Sequence, residues 1–542
     1  MADTYASDGN YALFGCTEGF REWVRKNVIG FGSDGELIND DATGRKILRR
    51  ASEVPSTFEP FMLYTGSGTQ VILSFAYHTT VKVAKSASES WAQNDPDYTL
   101  AGAVYGIYRT RADADADRSR LTTITTDASG TGESGSLGAT RETFYAKEVK
   151  PSPGYALDES VYKVGPGNDY TFSSKEPPVT VRLVLKKFDE ETGKGLPQGD
   201  ATLDGALYEA SYDRGGRTER VKGETVGATV VFEGIPLGDI EVRELDPSGG
   251  YLLDREAHRL RATANMADGT ASVIEIAPGD EFGEDPQRGG FIVGKGDMKR
   301  YDHENGTFWN YAQGDASFED AEFTVYNRSE NPVWYDANGD GKYQASEEFA
   351  PGDAVMIIAT EYNASLDAWT ATTGVRALPY GTYEVVETKV PEGYTGDGIV
   401  SHVAKIREDG QFDQLVEADG MLNEVVRGGV QVQKDDLELE VSEALGGAGH
   451  SALDADGYLG SSLAGIEFTI ENVSEHGVMV GGTYFPRGSV VAVIETAWNP
   501  DKGAYTAQTA SDTLPYGTYR IAETATNESY LLTDGAPRTF EG

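Results

Sequence analysis

Lysine and glutamate recur in this chain at the ends of apolar stripes. Residues two apart in a strand share a face, so Phe291, Val293 and Lys295 point one way, as do Val430, Val432 and Lys434. Tyr383, Val385 and Glu387 share a face, and so do Tyr519, Ile521 and Glu523. Lys85 and Lys187 close similar stretches at 81–85 and 183–187, and Glu148 and Glu244 close the matching glutamate stretches. A lone buried charge is costly, so each lysine is expected to meet a glutamate or to give up its proton. The plain outcome is a half-exposed salt bridge, or a lysine whose head reaches water while its stem lies on the core. The chemical outcome is sharper. Burial favours the neutral amine, a nucleophile, and the protonated acid. Such an amine can attack the side-chain carbonyl of a neighbouring Asn or Asp while the glutamate moves protons. The product is an amide cross-link between the first and last strands of a unit.

The elements that would position these groups come from internal repeats. Leu378-Pro379-Tyr380-Gly381-Thr382-Tyr383 recurs unchanged at Leu514-Pro515-Tyr516-Gly517-Thr518-Tyr519, with weaker copies at 235–240 and 137–144. Each copy runs into a strand ending in glutamate: Glu148, Glu244, Glu387 or Glu523. Gly154-Tyr155, Gly250-Tyr251 and Gly393-Tyr394 follow three of them. The lysine strands lie upstream, and Arg288-Gly289-Gly290 and Arg427-Gly428-Gly429 introduce two. Four units result, near 78–178, 179–287, 288–427 and 428–542, each about the size of a β-sandwich. The fourth stops before the segment that closes the third, so it is expected to be incomplete at its C-terminal end.

Together the lysine strand, the Leu-Pro-x-Gly-x-Tyr turn and the glutamate strand with Pro-x-Gly-Tyr resemble collagen-adhesin B-type domains. These Cna B, SpaA-like or prealbumin-like domains occur in Gram-positive pilins and adhesins, and the resemblance covers roughly 78–542. It implies an all-β chain of tandem immunoglobulin-like or prealbumin-like sandwiches. It also implies spontaneous Lys–Asn or Lys–Asp isopeptide bonds assisted by the glutamate. Carried over position by position, Lys295, Glu387 and Asn423 complete the set in the third unit. The second unit has Lys187 and Glu244, but Glu284 falls where Asn423 would be, and a slip of one residue would be needed to use Asp285. The first has Lys85 and Glu148, with only Ser173, Ser174, Lys175 and Glu176 near the expected acceptor. In the fourth, Lys434 and Glu523 are present and the acceptor strand lies beyond Gly542.

A second kind of chemistry is written at 336–347. Asp336, Asn338, Asp340 and the distant Glu347 have the spacing of an EF-hand loop, with Lys342 giving a backbone carbonyl and Gly341 permitting the sharp turn. Calcium is the implied cofactor, at a structural site rather than a sensor, and no organic cofactor is expected. The run also resembles the calcium loops of Sdr-type B repeats in staphylococcal-type adhesins. An ordinary polar turn would use many of the same residues. The fourth unit turns tightly at the matching place, so the loop reads as an insertion at a hairpin tip.

Residues 1–77 differ from the repeats. A short helix is predicted from 18 to 28 and another from 45 to 52, with strands from 58 to 77 around Gly66-Ser67-Gly68. This segment reads as the tail of a larger domain. Cys16, the sole cysteine, and Gln70 invite comparison with surface thioester domains, but Phe14-Gly15-Cys16-Thr17 does not match that family's motif; a solitary cysteine is the better reading. The formal charge of −42, from 88 acidic and 46 basic residues, argues against nucleic acid or anionic lipid as partners. No apolar run is long enough to insert in a membrane, and the six histidines have no metal or triad spacing. No signal peptide or wall-sorting pentapeptide is present, so an exported protein would be represented here by a piece. The reading is an extracellular, wall-anchored or secreted stalk, adhesin or pilin-like protein. Its only chemistry is self-cross-linking, and its partners are a host or neighbouring-cell surface ligand or other pilin subunits. The alternatives are accessory domains of a secreted enzyme, and a binding module whose Lys–Glu pairs are plain salt bridges.

Overall fold

The computed structural model describes residues 79–542 except 139, 267–270, 280–281, 299–300, 304–305, 309, 417–419, 438–439, 441–461, 529 and 533–535. Before residue 79 it describes six strands: Asp3–Thr4, Tyr11–Phe14, Val28–Phe31, Lys46–Leu48, Phe61–Thr65 and Gln70–Leu73. The last two form the expected hairpin. The helix predicted from 45 to 52 is wrong: Lys46–Leu48 is a strand paired in parallel with Val28–Phe31. There, pairing overrides the helix preference of Arg, Lys and Leu. Cys16, His78 and nearly all of the helix predicted from 18 to 28 lie outside the described residues, as does His450.

The rest is β-sandwich, repeated. In the first, Lys82–Ala87 sits between Thr131–Glu133 and Thr171–Glu176, facing a four-stranded sheet that contains Val104–Tyr108 and Phe144–Lys150. In the second, Thr180–Lys186 sits between Thr229–Pro236 and Val273–Ile276, and the facing sheet contains Leu207–Asp213 and Gly238–Asp246. In the third, the long strand Arg288–Asp297 pairs with Ala368–Thr372, Leu378–Pro379, Phe412–Leu415 and Met421–Val425. Glu322–Asn327 and Gly381–Lys389 lie in its facing sheet. The fourth sets Gln431–Lys434 beside Ala504–Gln508, against a sheet containing Glu467–Asn472 and Thr518–Ala525. Among the described residues, no strand pairs with the other edge of Gln431–Lys434.

Period-two alternation explains the cores. Phe291 and Val293 are fully buried on one sheet, and Tyr383 and Val385 on the other, around Phe323, Val325 and Leu378. The Leu-Pro-Tyr-Gly-Thr-Tyr turn is explained by its last residue. Tyr383 donates its hydroxyl to the carbonyl of Pro379 at 2.8 Å, and Tyr519 does the same to Pro515 at 2.7 Å. A side chain at Gly381 would meet Ser329 Oγ and the Tyr383 ring, so the turn closes only with glycine.

The same turn is also a docking surface for the preceding sandwich, through a Gln-Gly-Asp-Ala segment that occurs at 198–201 and again at 313–316. Gln198 Oε1 accepts from Trp334 N–H, and Gln313 Oε1 accepts from Met479 N–H. Asp200 and Asp315 each accept from a threonine hydroxyl of the turn, Thr382 and Thr518 respectively. Gly199 and Gly314 take positive φ and lie so close to the carbonyls of Tyr380 and Tyr516 that a Cβ would clash. The first and second sandwiches meet differently. Tyr98, Leu100 and Tyr155 share one core with Val179, Ile235 and Leu237.

Candidate functional site

Lysine and glutamate strands lie in opposite sheets, so each lysine–glutamate pair crosses its sandwich. In the third, Lys295 and Asn423 are wholly buried. Lys295 Nζ lies 2.7 Å from Glu387 Oε1, although neither atom has a hydrogen-bond partner of good geometry. The other carboxylate oxygen, Oε2, accepts from Asn423 Nδ2 at 2.7 Å. Asn423 Oδ1 has no partner among the described groups. One carboxyl thus spans an amine and an amide nitrogen. Burial pulls the Lys295 ammonium below its ordinary range against the opposing pull of Glu387. The arrangement sets an amine, a carboxyl and a side-chain amide side by side in a buried site.

The strand that brings the acceptor runs parallel to the lysine strand, and the residue two after lysine marks its register. Asp297 pairs with Asn423, Asp189 with Glu284 and Ala87 with Glu176. Glu176 and Glu284 therefore occupy the place that Asn423 holds. Lys187 Nζ lies 3.0 Å from Glu244 Oε1 and 2.8 Å from Glu284 Oε1, all three side chains being buried. Burial lifts the Glu284 carboxyl to about 7 against the pull of Lys187. The proposed slip to Asp285 does not occur. Asp285 is exposed because it alternates with buried Glu284, and the parallel pairing of Phe188–Asp189 with Gly283–Glu284 fixes that alternation.

The first sandwich repeats the second. Lys85 Nζ lies 2.8 Å from Glu148 Oε1 and also contacts Glu176, with all three side chains fully buried. Burial lowers the Lys85 ammonium and raises the Glu148 carboxyl, each opposed by the other. Of the four residues near the expected acceptor, Glu176 faces the lysine; Ser174 donates to Glu176 Oε1 at 2.8 Å. The fourth sandwich pairs Lys434 with Glu523 at 2.7 Å, but their side chains keep 20% and 14% exposure, so this pair is wetter.

Two residues that the sequence reading passed over stand in these sites. Tyr105 donates to Glu176 Oε1 at 2.6 Å, and Tyr208 donates to Glu284 Oε1 at 2.8 Å. Tyr105 pairs with Glu148 and Tyr208 with Glu244, as Phe323 pairs with Glu387 in the third sandwich. The signal lies in a further repeat: Leu100-Ala101-Gly102-Ala103-Val104-Tyr105 matches Leu203-Asp204-Gly205-Ala206-Leu207-Tyr208, and each copy ends on this aromatic.

The 336–347 loop joins Val333–Trp334 to Glu348–Phe349, where the fourth sandwich has the tight hairpin Val478–Val480 and Thr483–Phe485. Asp336 accepts from the N–H groups of Gly339, Asp340 and Gly341, Asn338 from Asp340, and Asp340 from Lys342. Gly341 has φ +69°, the left-handed turn that the spacing requires. Glu347 is buried and folds back so that Oε1 accepts from Asn338 N–H at 3.2 Å. The ends of the twelve-residue spacing therefore meet. Among the described residues, no three His, Cys, Asp or Glu side chains are drawn together closely enough to hold a metal. No helix among them is long and apolar enough to cross a membrane.

Residues 311–418 match the SpaA family, a prealbumin-like fold domain. The match includes Glu387 and stops short of Lys295 and Asn423 on either side. No curated protein sequence matches the chain. Among solved structures, the chain is similar to the Bacillus anthracis TIE protein at 19% identity, covering 66% of this chain and 56% of that one with a TM-score of 0.36. It thus spans little more than half the length of that protein. It is similar to a streptococcal ancillary pilin at 13% identity (64% of this chain, 98% of that one, TM-score 0.21). It is also similar to BcpA, the major pilin subunit of Bacillus cereus, at 15% identity (67% and 95%, TM-score 0.23). The facing sheets around Phe323 and Tyr383, with the family match over them, identify residues 311–418 as a SpaA prealbumin-like domain.

Proposed function

We propose that the chain is a section of an extracellular stalk of adhesin or pilin type, whose third sandwich closes itself with an amide bond between Lys295 and Asn423. The observation that carries the reading is the Glu387 carboxyl, buried between Lys295 Nζ and Asn423 Nδ2 at 2.7 Å from each. Proton transfer from the Lys295 ammonium to Glu387 leaves a neutral amine and a neutral acid, which a dry interior prefers to an ion pair. The amine attacks Asn423 Cγ, forming the Nζ–Cγ bond and a tetrahedral centre. Glu387 returns its proton to Nδ2 and accepts the one shed by Nζ. The Cγ–Nδ2 bond breaks, ammonia leaves, and the amide remains. The reaction happens once per molecule.

Such a bond would tie the first strand of the sandwich to its last. Tension between neighbouring sandwiches would then run through covalent bonds and leave the core folded. That property suits a protein held at a cell surface, with a host or neighbouring-cell ligand or other pilin subunits as its partners. Pulling single molecules tests the reading. About 130 residues lie inside the cross-link, or roughly 45 nm of extended chain. The third sandwich should release none of that length in the parent chain and all of it in Lys295→Ala. Full release in the parent would contradict the proposal.

Calcium belongs to the same proposal. The 336–347 loop, with Asp336, Asn338, Asp340, Glu347 and the Lys342 carbonyl as ligands, would hold it at the hairpin that meets the second sandwich. The positive φ of Gly341 and the inward fold of Glu347 support this.

A further inference from the structure

We propose that two residues together decide whether a sandwich closes covalently: the one at the acceptor register and the aromatic opposite the glutamate. The proposal rests on the cross-linking reading of the third sandwich and extends it to the first two. Three sandwiches share the register, and they split into two kinds. Where Glu176 or Glu284 stands as acceptor, the aromatic is Tyr105 or Tyr208; where Asn423 stands, it is Phe323.

The chemistry of the two kinds differs in where the lysine proton can go. In the third sandwich one amine faces one carboxyl and one amide. The proton can pass to Glu387 and leave amine, acid and amide neutral, while nearby Asp297 is held by Gln313 and Tyr394. In the first two, one amine faces two carboxyls. Even with a proton trapped between them, a carboxylate remains to hold the ammonium, so the nucleophile never forms. The tyrosine hydroxyl reinforces this. It donates to the acceptor-register carboxyl, and a hydrogen bond to the charged form favours that form. Phe323 has nothing to donate, and an amide at 423 cannot take the lysine proton.

Further charges close both ionic sites. In the second sandwich, Asp254 N–H donates to Glu244 Oε2, and Asp254 in turn binds His258. Ser248 Oγ accepts from Lys187. In the first, Asp158 N–H donates to Glu148 Oε2, while Ser174 bridges Asp158 and Glu176. The first two sandwiches are therefore locked by ions and hydrogen bonds, and the third by a bond. Neither Glu176 nor Glu284 condenses with its lysine.

Peptide mapping of the whole chain by tandem mass spectrometry is the first arm of the test. Lys85 and Lys187 should appear in unlinked peptides, and Lys295 in a peptide joined to Asn423. A Lys85–Glu176 or Lys187–Glu284 link, with loss of one water, would overturn the proposal while leaving the third sandwich's chemistry intact. A parent chain with no Lys295–Asn423 link would instead sink the reading on which the proposal rests. The second arm exchanges the pair: Glu284→Asn with Tyr208→Phe, and separately Glu176→Asn with Tyr105→Phe, each in the full chain. Each exchange should convert no detectable link into a link in most molecules, with loss of one ammonia. If neither links while its sandwich keeps a cooperative thermal transition, the proposal fails. If an exchanged sandwich does not fold, the parent map still decides.

Discussion

Replacing Glu387 with alanine removes the one carboxyl among the described residues that reaches both Lys295 and Asn423. Two losses should follow. The first is the cross-link. Closing a loop of about 130 residues restricts the unfolded chain by about 5 kcal/mol on the loop-entropy estimate used for disulfides. The second is the counter-charge of a fully buried lysine, worth about 3 kcal/mol when one partner of a buried pair is deleted. At roughly 2–4 °C per kcal/mol for a sandwich of this size, the third transition should fall by about 15–30 °C. Asn423→Ala separates the terms, because it blocks the bond but leaves the Lys295–Glu387 contact; it should lose only the first. Differential scanning calorimetry of the parent and both variants measures the ordering. A Glu387→Ala transition within about 5 °C of the parent would mean that neither the bond nor the counter-charge holds the sandwich.

Other expectations concern the remaining sites. Burial lifts the Glu284 carboxyl to about 7, above its unfolded value of 4.5. The second sandwich therefore holds this contribution in full below that unfolded value and loses it as pH rises towards 7. Urea unfolding at pH 5 and pH 8 should show it, Glu284→Gln should flatten it, and a second sandwich more stable at pH 8 would contradict it. At the joint, buried Gln198 Nε2 donates to both Asp189 oxygens at 3.1 Å while its Oε1 holds Trp334 N–H. Gln198→Ala should cost about 1–3 kcal/mol and let the second and third sandwiches move independently in small-angle scattering; an unchanged profile would make the joint incidental. For the cation loop, Trp334 Nε1 lies 3.5 Å from Glu347 Oε2, so terbium should show luminescence excited through Trp334 and displaced by calcium. Asp340→Ala should abolish it, and a silent parent chain would leave the loop a plain turn.

Much of the site was legible because lysine and glutamate broke an apolar stripe of period two at the same place in every repeat. That pattern marks facing strands, and it located Lys85, Lys187, Lys295, Glu148, Glu244 and Glu387 without any knowledge of the sheets. Acceptors were harder. They arrive on strands whose pairing with the lysine strand is set by parallel register at separations of 91 to 128 positions, and the sequences Thr171–Glu176 and Met421–Val425 share no word. Glu176 is one of four neighbours until the register singles it out, and the slip that Asp285 would need is excluded by the pairing that buries Glu284. The joints were legible and unread: Gln-Gly-Asp-Ala recurs in full, but it lies in a loop, where the search for alternating strands does not look. The inserted loop at 336–347 was visible because the fourth sandwich supplies the same hairpin without it.

The intact mass of the denatured chain shows whether Lys295 and Asn423 are bonded. The mass should be lower than that of the sequence by one ammonia, and the Lys295→Ala chain should have the mass of its own sequence. A parent mass equal to that of the sequence would contradict the bond and leave the third sandwich held by its core and an ion pair alone.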